Sequence, residues 1–125
     1  MKAPALLDSS CWIEILREGP LAGACRKELR SPAIVPTLVI YEVYRKITTA
    51  VSEDQALSVV ALMSQGRVVD LTRDIALSAA DLSIQLKLPM ADSMILAHAR
   101  HENATLVTLD NDFARIRGVK LLRTA

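Results

Sequence analysis

The chain has 125 residues, 51% of them hydrophobic and 23% charged, which suits one domain over residues 1–125 with its own core and excludes a disordered or fibrous chain. Fifteen Lys and Arg against fourteen Asp and Glu leave a net charge of +1, so no chain-wide basic field announces a nucleic-acid partner.

Ala5 to Leu7 is a short apolar run stopped by Asp8, Ser9 and Ser10, the pattern of a buried strand followed by a helix start. Extended back to Ala3, the run is still too brief for the apolar region of a secretion signal. Trp12, Ile13 and Leu16 keep helical spacing up to Gly19 and Pro20, and a second short helix is predicted over Leu21 to Leu29. Cys11 and Cys25 lie in this stretch without a disulfide framework or a zinc-ligand spacing, and read as reduced, buried thiols of a cytosolic protein. Ala33 to Val35, before Pro36, is a second strand. From Thr37, taken as an N-cap, Val39, Ile40, Val43 and Ile47 recur at helical intervals up to Thr48 and Thr49. Ser52 with Gln55 makes a capping box for a helix running through Met63 and closed by Gly66. Val68, Val69 and Leu71 predict a third strand. Thr72 to Leu86 is a helix with Ile75, Ala79, Leu82 and Leu86 on one face, and Pro89 marks its exit. Asp92 opens a further helix ending near Glu102, and Leu106 to Leu109 and Val119 to Leu122 are the last strands. No apolar run approaches the roughly 20 residues of a membrane span. Short apolar strands alternating with amphipathic helices define an α/β class: three layers, α/β/α, around a central, mostly parallel sheet of four to five short strands. In such sheets ligands gather beyond the carboxyl ends of the strands.

Four acids fall near that edge, and each also has an ordinary structural reading. Asp8 follows the first strand, where an N-cap is expected. Asp110 opens Asp110-Asn111-Asp112, which is also common turn chemistry. Asp92 shares a helix face with Ile95, Leu96 and Ala99, so it is either a cap or a carboxylate aimed at the sheet, and the latter demands a positive partner. Glu42 either pairs with Lys46 one turn on or faces inward with Leu38 and Val39. Brought together, four carboxylates repel, about 4 kcal/mol for one pair at 4 Å and an effective dielectric near 20. Their pKa values must rise or a cation must neutralise them. Oxygen ligands without His or Cys suit Mg²⁺ or Mn²⁺, and the reaction class natural to such a centre is metal-dependent phosphodiester hydrolysis.

These residues resemble the PIN-domain ribonucleases, and among them the VapC-type toxins of type II toxin–antitoxin pairs. Leu6-Leu7-Asp8-Ser9-Ser10, Pro36 through Tyr41-Glu42, Ala91-Asp92-Ser93-Met94-Ile95-Leu96-Ala97 and Leu106 through Asp110-Asn111-Asp112-Phe113 are similar to the family's four motifs, in order and over nearly the whole chain. The resemblance implies a PIN-like fold and a cytoplasmic Mg²⁺-dependent endoribonuclease directed at tRNA or rRNA. It also implies a homodimer, silenced in a hetero-oligomer with a VapB-type antitoxin. Asp8, Glu42, Asp92 and Asp110 are then the catalytic, metal-binding acids. Ser10 and Thr108 match hydroxyl positions that hydrogen-bond the acids or a water on the metal. Many relatives place the later Asp further on, whereas here Asp110 and Asp112 stand two apart; Asp110 is assigned as the fourth acid and Asp112 as a supporting group.

Setting those four aside leaves ten acids against fifteen bases, a surplus suited to phosphate contacts around an acidic centre. Arg45, Lys46 and Arg100, on the motif-bearing helices, are the candidates for substrate contact, with a solvated face as their ordinary reading. His98 and His101 lack a third nitrogen or sulfur ligand nearby and read as surface histidines. Two alternatives remain at this point. One is a PIN-like binding module without catalysis. The other is a receiver-type phosphoacceptor domain, for which Asp8 lacks an adjacent acid and Asp70 lacks companion acids.

Overall fold

The computed structural model describes residues 3–29 and 32–123. Five strands and six helices follow one another as β1 (Ala5–Leu7), α1 (Ser9–Leu16), α2 (Ala22–Glu28), β2 (Ile34–Pro36), α3 (Thr37–Ala50), α4 (Glu53–Met63), β3 (Arg67–Val69), α5 (Arg73–Leu86), α6 (Met90–His101), β4 (Thr105–Thr108) and β5 (Val119–Leu121), with a 3₁₀ turn over Asn111–Phe113. The strands form two ladders, β1-β4-β5 and β2-β3, and every pairing is parallel. β1 and β2 lie alongside each other and join the ladders into one layer. Parallel neighbours need crossover connections, which the helices supply.

Burial explains which segments became strands. All three residues of β1 and of β2 are buried, as are Leu106 and Val107 of β4, whereas β3 and β5, at the outer edges, are largely open. The central strands are therefore covered on both faces, the condition under which an unbroken apolar run is stable as a strand. α3 and α4 pack as one pair and α5 and α6 as another. Val39, Val43 and Ile47 of α3, Ala56, Val59 and Met63 of α4, and Ile75, Ala79 and Leu82 of α5 enter a common core with the sheet. Cys11 and Cys25 are buried free thiols. No helix among the described residues is long and apolar enough to cross a membrane.

Ser52 and Thr72 cap α4 and α5, their hydroxyls accepting the N–H of Gln55 (3.1 Å) and Ile75 (3.2 Å). Three expectations are corrected. Thr37 is the first residue of α3, because the extended Pro36 occupies the N-cap without a side-chain bond. Asp92 likewise lies inside the first turn of α6, behind an N-cap at Pro89. Gly66 does not close α4 by a left-handed turn; a Cβ there would stand 2.8 Å from the Ala33 carbonyl oxygen, where the chain enters β3 beside β2. His98 is a fourth correction. It is fully buried while His101 is exposed, because α6 packs against α5, α3 and β4 at once and so buries more than one stripe.

Candidate metal centre

Since β1 and β4 pair in parallel, their carboxyl ends share one edge, which the chain leaves through Asp8 and Leu109, and α3 follows directly from β2 alongside β1. Asp8 has extended backbone and caps α1. Its Oδ1 accepts the Ser10 N–H at 2.7 Å and the Cys11 N–H at 3.4 Å. The Ser10 hydroxyl also donates to Oδ1, and the Thr108 hydroxyl, at the end of β4, donates to Oδ2 at 2.5 Å. Each hydroxyl in turn accepts a backbone N–H, that of Leu109 on Ser10 Oγ and that of Asp110 on Thr108 Oγ1, both at 3.0 Å. A hydroxyl has one proton to give and lone pairs to receive, so the two side chains link the Asp8 carboxylate to the backbone that carries Asp110.

Beyond β4, Asp110 Oδ1 accepts the Asp112 N–H at 2.9 Å, which folds the 3₁₀ turn back. The turn brings Asp110 and Asp112 to Asp92 on the first turn of α6. One carboxylate oxygen from each lies within 4.8 Å of the others. Asp112, the more exposed of the two, therefore lies with Asp110 against Asp92. Glu42, on α3, is half-buried beside Ser9. Its Oε1 is buried with no hydrogen-bond partner, and no ion pair with Lys46 forms.

The electrostatics follow from this crowding. Burial holds the Asp92 carboxyl at about 6, with the charges of Asp110, Asp112, Asp8 and Glu42 adding to the effect. Asp8 is raised by burial despite four opposing hydrogen bonds. Glu42 is raised by burial and, less, by the charge of Asp8, against an opposing pull from the nearby Ser9 hydroxyl. Among the described residues, no Lys or Arg lies within ion-pair distance of these five carboxylates. The positive partner that a buried carboxylate requires is thus not supplied by the described residues. An all-oxygen donor set, raised carboxyls and an orphaned buried Glu42 oxygen together fit a hard divalent cation.

The other predicted residues divide. Arg45 and Lys46 line an open cavity together with Glu42. Arg100 lies eight residues after Asp92 on α6, about 12 Å along the axis at 1.5 Å per residue, and its Nη2 donates to the Arg117 carbonyl at 3.3 Å. It stands at the far end of the helix from the acids. Ser9, which lines the same cavity as Glu42, is a further residue of the site, and its position directly after Asp8 at a helix start is the sequence signal for it.

The family model of the PIN domain matches residues 5–119. No curated protein sequence matches the chain. Among solved structures, a toxin–antitoxin complex from Klebsiella pneumoniae is similar at 24% identity, covering 93% of this chain and 95% of that one, with a TM-score of 0.82. A DNA-bound VapBC from Salmonella typhimurium shares 20% identity over 96% of this chain and 97% of that one, TM-score 0.75. VapC20 from Mycobacterium tuberculosis, described as a toxin that cleaves the sarcin-ricin loop, shares 16% identity over 88% and 92%, TM-score 0.73. At these identities the likeness speaks to the fold. The family match sets aside the receiver-type alternative.

Proposed function

This chain belongs to the PIN-domain family, and from that premise we propose that it is a divalent-metal-dependent endoribonuclease, the toxin of a type II toxin–antitoxin pair. The observation that carries this reading is the meeting of Asp92, Asp110 and Asp112 near Asp8 and Glu42, whose Oε1 has no partner, with no cation among the described residues within ion-pair distance of them. Residues 1–125 act as one PIN domain in the cytoplasm. The toxin–antitoxin complexes among the structural neighbours support a VapB-type antitoxin as partner, and with it a homodimer within a hetero-oligomer. VapC20, among the neighbours, supports a structured RNA as substrate.

In this reading Asp8, Glu42, Asp92 and Asp110 hold Mg²⁺, with Mn²⁺ as a substitute, and Asp112 stands with them in the acidic wall. When bound, the ion neutralises phosphodiester oxygens during in-line attack and eases the deprotonation of water. Asp8 cannot swing away, because both its oxygens are hydrogen-bonded. Ser10 and Thr108 position rather than react: their protons are committed to Asp8 and their lone pairs to the backbone of Leu109 and Asp110. Asp112 and Asp110 hold each other through the Asp112 N–H.

Purified protein is expected to cleave RNA in Mg²⁺ or Mn²⁺, to stop in EDTA, and to lose at least about a hundredfold in rate in Asp92→Asn, on the scale of removing an electrostatic catalytic group. Full cleavage by Asp92→Asn, or cleavage that persists in EDTA, would remove the reading. Binding without any cleavage would favour the non-catalytic module.

A further inference from the structure

Next to Glu42, a cavity of about 420 Å³ is lined by Ser9 and Ile13 of α1 and by Tyr41, Glu42, Arg45 and Lys46 of α3. Tyr41 is 62% exposed, whereas Trp12 and Phe113 are buried and Tyr44 packs against the core. Among the described Trp, Tyr and Phe residues it is the one open to solvent. Arg45 follows Tyr41 by four positions, so the two share a helix face. Neither Arg45 nor Lys46 has a carboxylate within ion-pair distance among the described residues, although Glu42 is one turn from Lys46. The cavity thus meets the acidic centre through Glu42. It also holds a pair of free cations beside an exposed ring, over the apolar side chain of Ile13.

We propose that this cavity is a subsite for one unpaired nucleotide of the RNA substrate, its base stacked on Tyr41 and its phosphate held by Arg45 and Lys46. The inference rests on the ribonuclease reading above and adds to it the state of the substrate at this point. Cations meet phosphates without regard to sequence, and an aromatic ring takes the face of any base freed from its helix. A base inside a duplex has both faces covered by its neighbours and cannot stack there. The volume is that of a pocket for one small ligand, not of a groove for a duplex. Glu42, shared by the cavity and the acidic centre, places the held phosphate next to the bond to be cut.

The test uses the full chain in an Asp92→Asn background, so that RNA persists. Fluorescence anisotropy measures the affinity for a short single-stranded RNA and for the same strand annealed to its complement. The single strand is expected to bind at least about tenfold tighter. Tyr41→Ala is expected to weaken single-strand binding roughly 5- to 100-fold, the range for loss of one stacking platform, with Tyr41→Trp retaining it. Arg45→Ala or Lys46→Ala is expected to lower the slope of log affinity against log salt by about 0.7, one phosphate contact on a single strand. Unchanged affinity in Tyr41→Ala, or equal losses for single strand and duplex, would overturn the subsite. So would a Tyr41→Ala protein that binds RNA normally but loses its antitoxin. The two readings fail separately. Binding of this pattern by a wild-type chain that never cleaves RNA upholds the subsite and overturns the nuclease. Cleavage with an unchanged KM in Tyr41→Ala does the reverse.

Discussion

His98 is buried on α6 with neither ring nitrogen hydrogen-bonded, and burial holds its pKa below the ordinary 6.5, against a smaller opposing pull from Glu102. The unfolded chain therefore takes up a proton near pH 6.5 that the fold excludes, and His98 costs stability as the pH falls through that value toward its folded pKa. The raised carboxyl of Asp92 acts in the opposite sense: without metal, the fold binds its proton more readily than the unfolded chain does, and gains stability as the pH falls from about 6 toward 3.8. Replacing the imidazole isolates its share. His98→Met, an apolar side chain of adaptable shape, is expected to lose less stability than the wild type between pH 7.5 and 5.5, measured by urea midpoints in EDTA. Parallel losses in both proteins would show that His98 carries no part of the acid sensitivity. The burial of His98 was not legible in the sequence, and for Glu42 the sequence left a solvated pair with Lys46 and an inward face both open. A histidine at the end of a helix and a Glu four residues before a Lys are common on solvated faces; what decides here is tertiary, the packing of α6 on three sides and of α3 against α1.

At the level of elements, Asp8 joins secondary structure to the acidic centre, since the oxygen that caps α1 belongs to the carboxylate held by Ser10 and Thr108. Asp8→Asn keeps a capping acceptor, and its amide can donate to Thr108 Oγ1. Asp8→Ala keeps neither, and leaves two buried hydroxyl protons without an acceptor. Urea unfolding is expected to place Asp8→Ala about 1 to 2 kcal/mol below Asp8→Asn, with RNA cleavage abolished in both. Equal stabilities would mean that the cap contributes nothing. Capping signals were the most readable part of the helices where a hydroxyl does the work, as at Ser52 and Thr72. They misled at Thr37 and Asp92, because Pro36 and Pro89 already supply the extended residue from which a helix starts. The five strands fall within two residues of their apolar runs, since a run covered on both faces has little freedom to be anything else.

For the molecule as a whole, parallel pairing throughout the sheet carries acids distant in the chain to one edge. The order of the motifs made that edge legible before the coordinates. The place of Asp112 with Asp110 against Asp92 was not legible, because it depends on how the 3₁₀ turn folds back. Nor was the separation of Arg100 from Arg45 and Lys46, which lies in the length of α6. The resulting charge pattern, five carboxylates with cations to one side and none among them, is stable at neutral pH only with part of the charge protonated or balanced by a cation. The most direct test is a Mn²⁺ binding isotherm, following the electron paramagnetic resonance of free Mn²⁺, on wild type and Asp92→Asn at pH 7.5. Saturable binding by the wild type, displaced by Mg²⁺ and weakened at least about tenfold in the variant, is the predicted result. Binding that is absent, or the same in both proteins, would contradict the account.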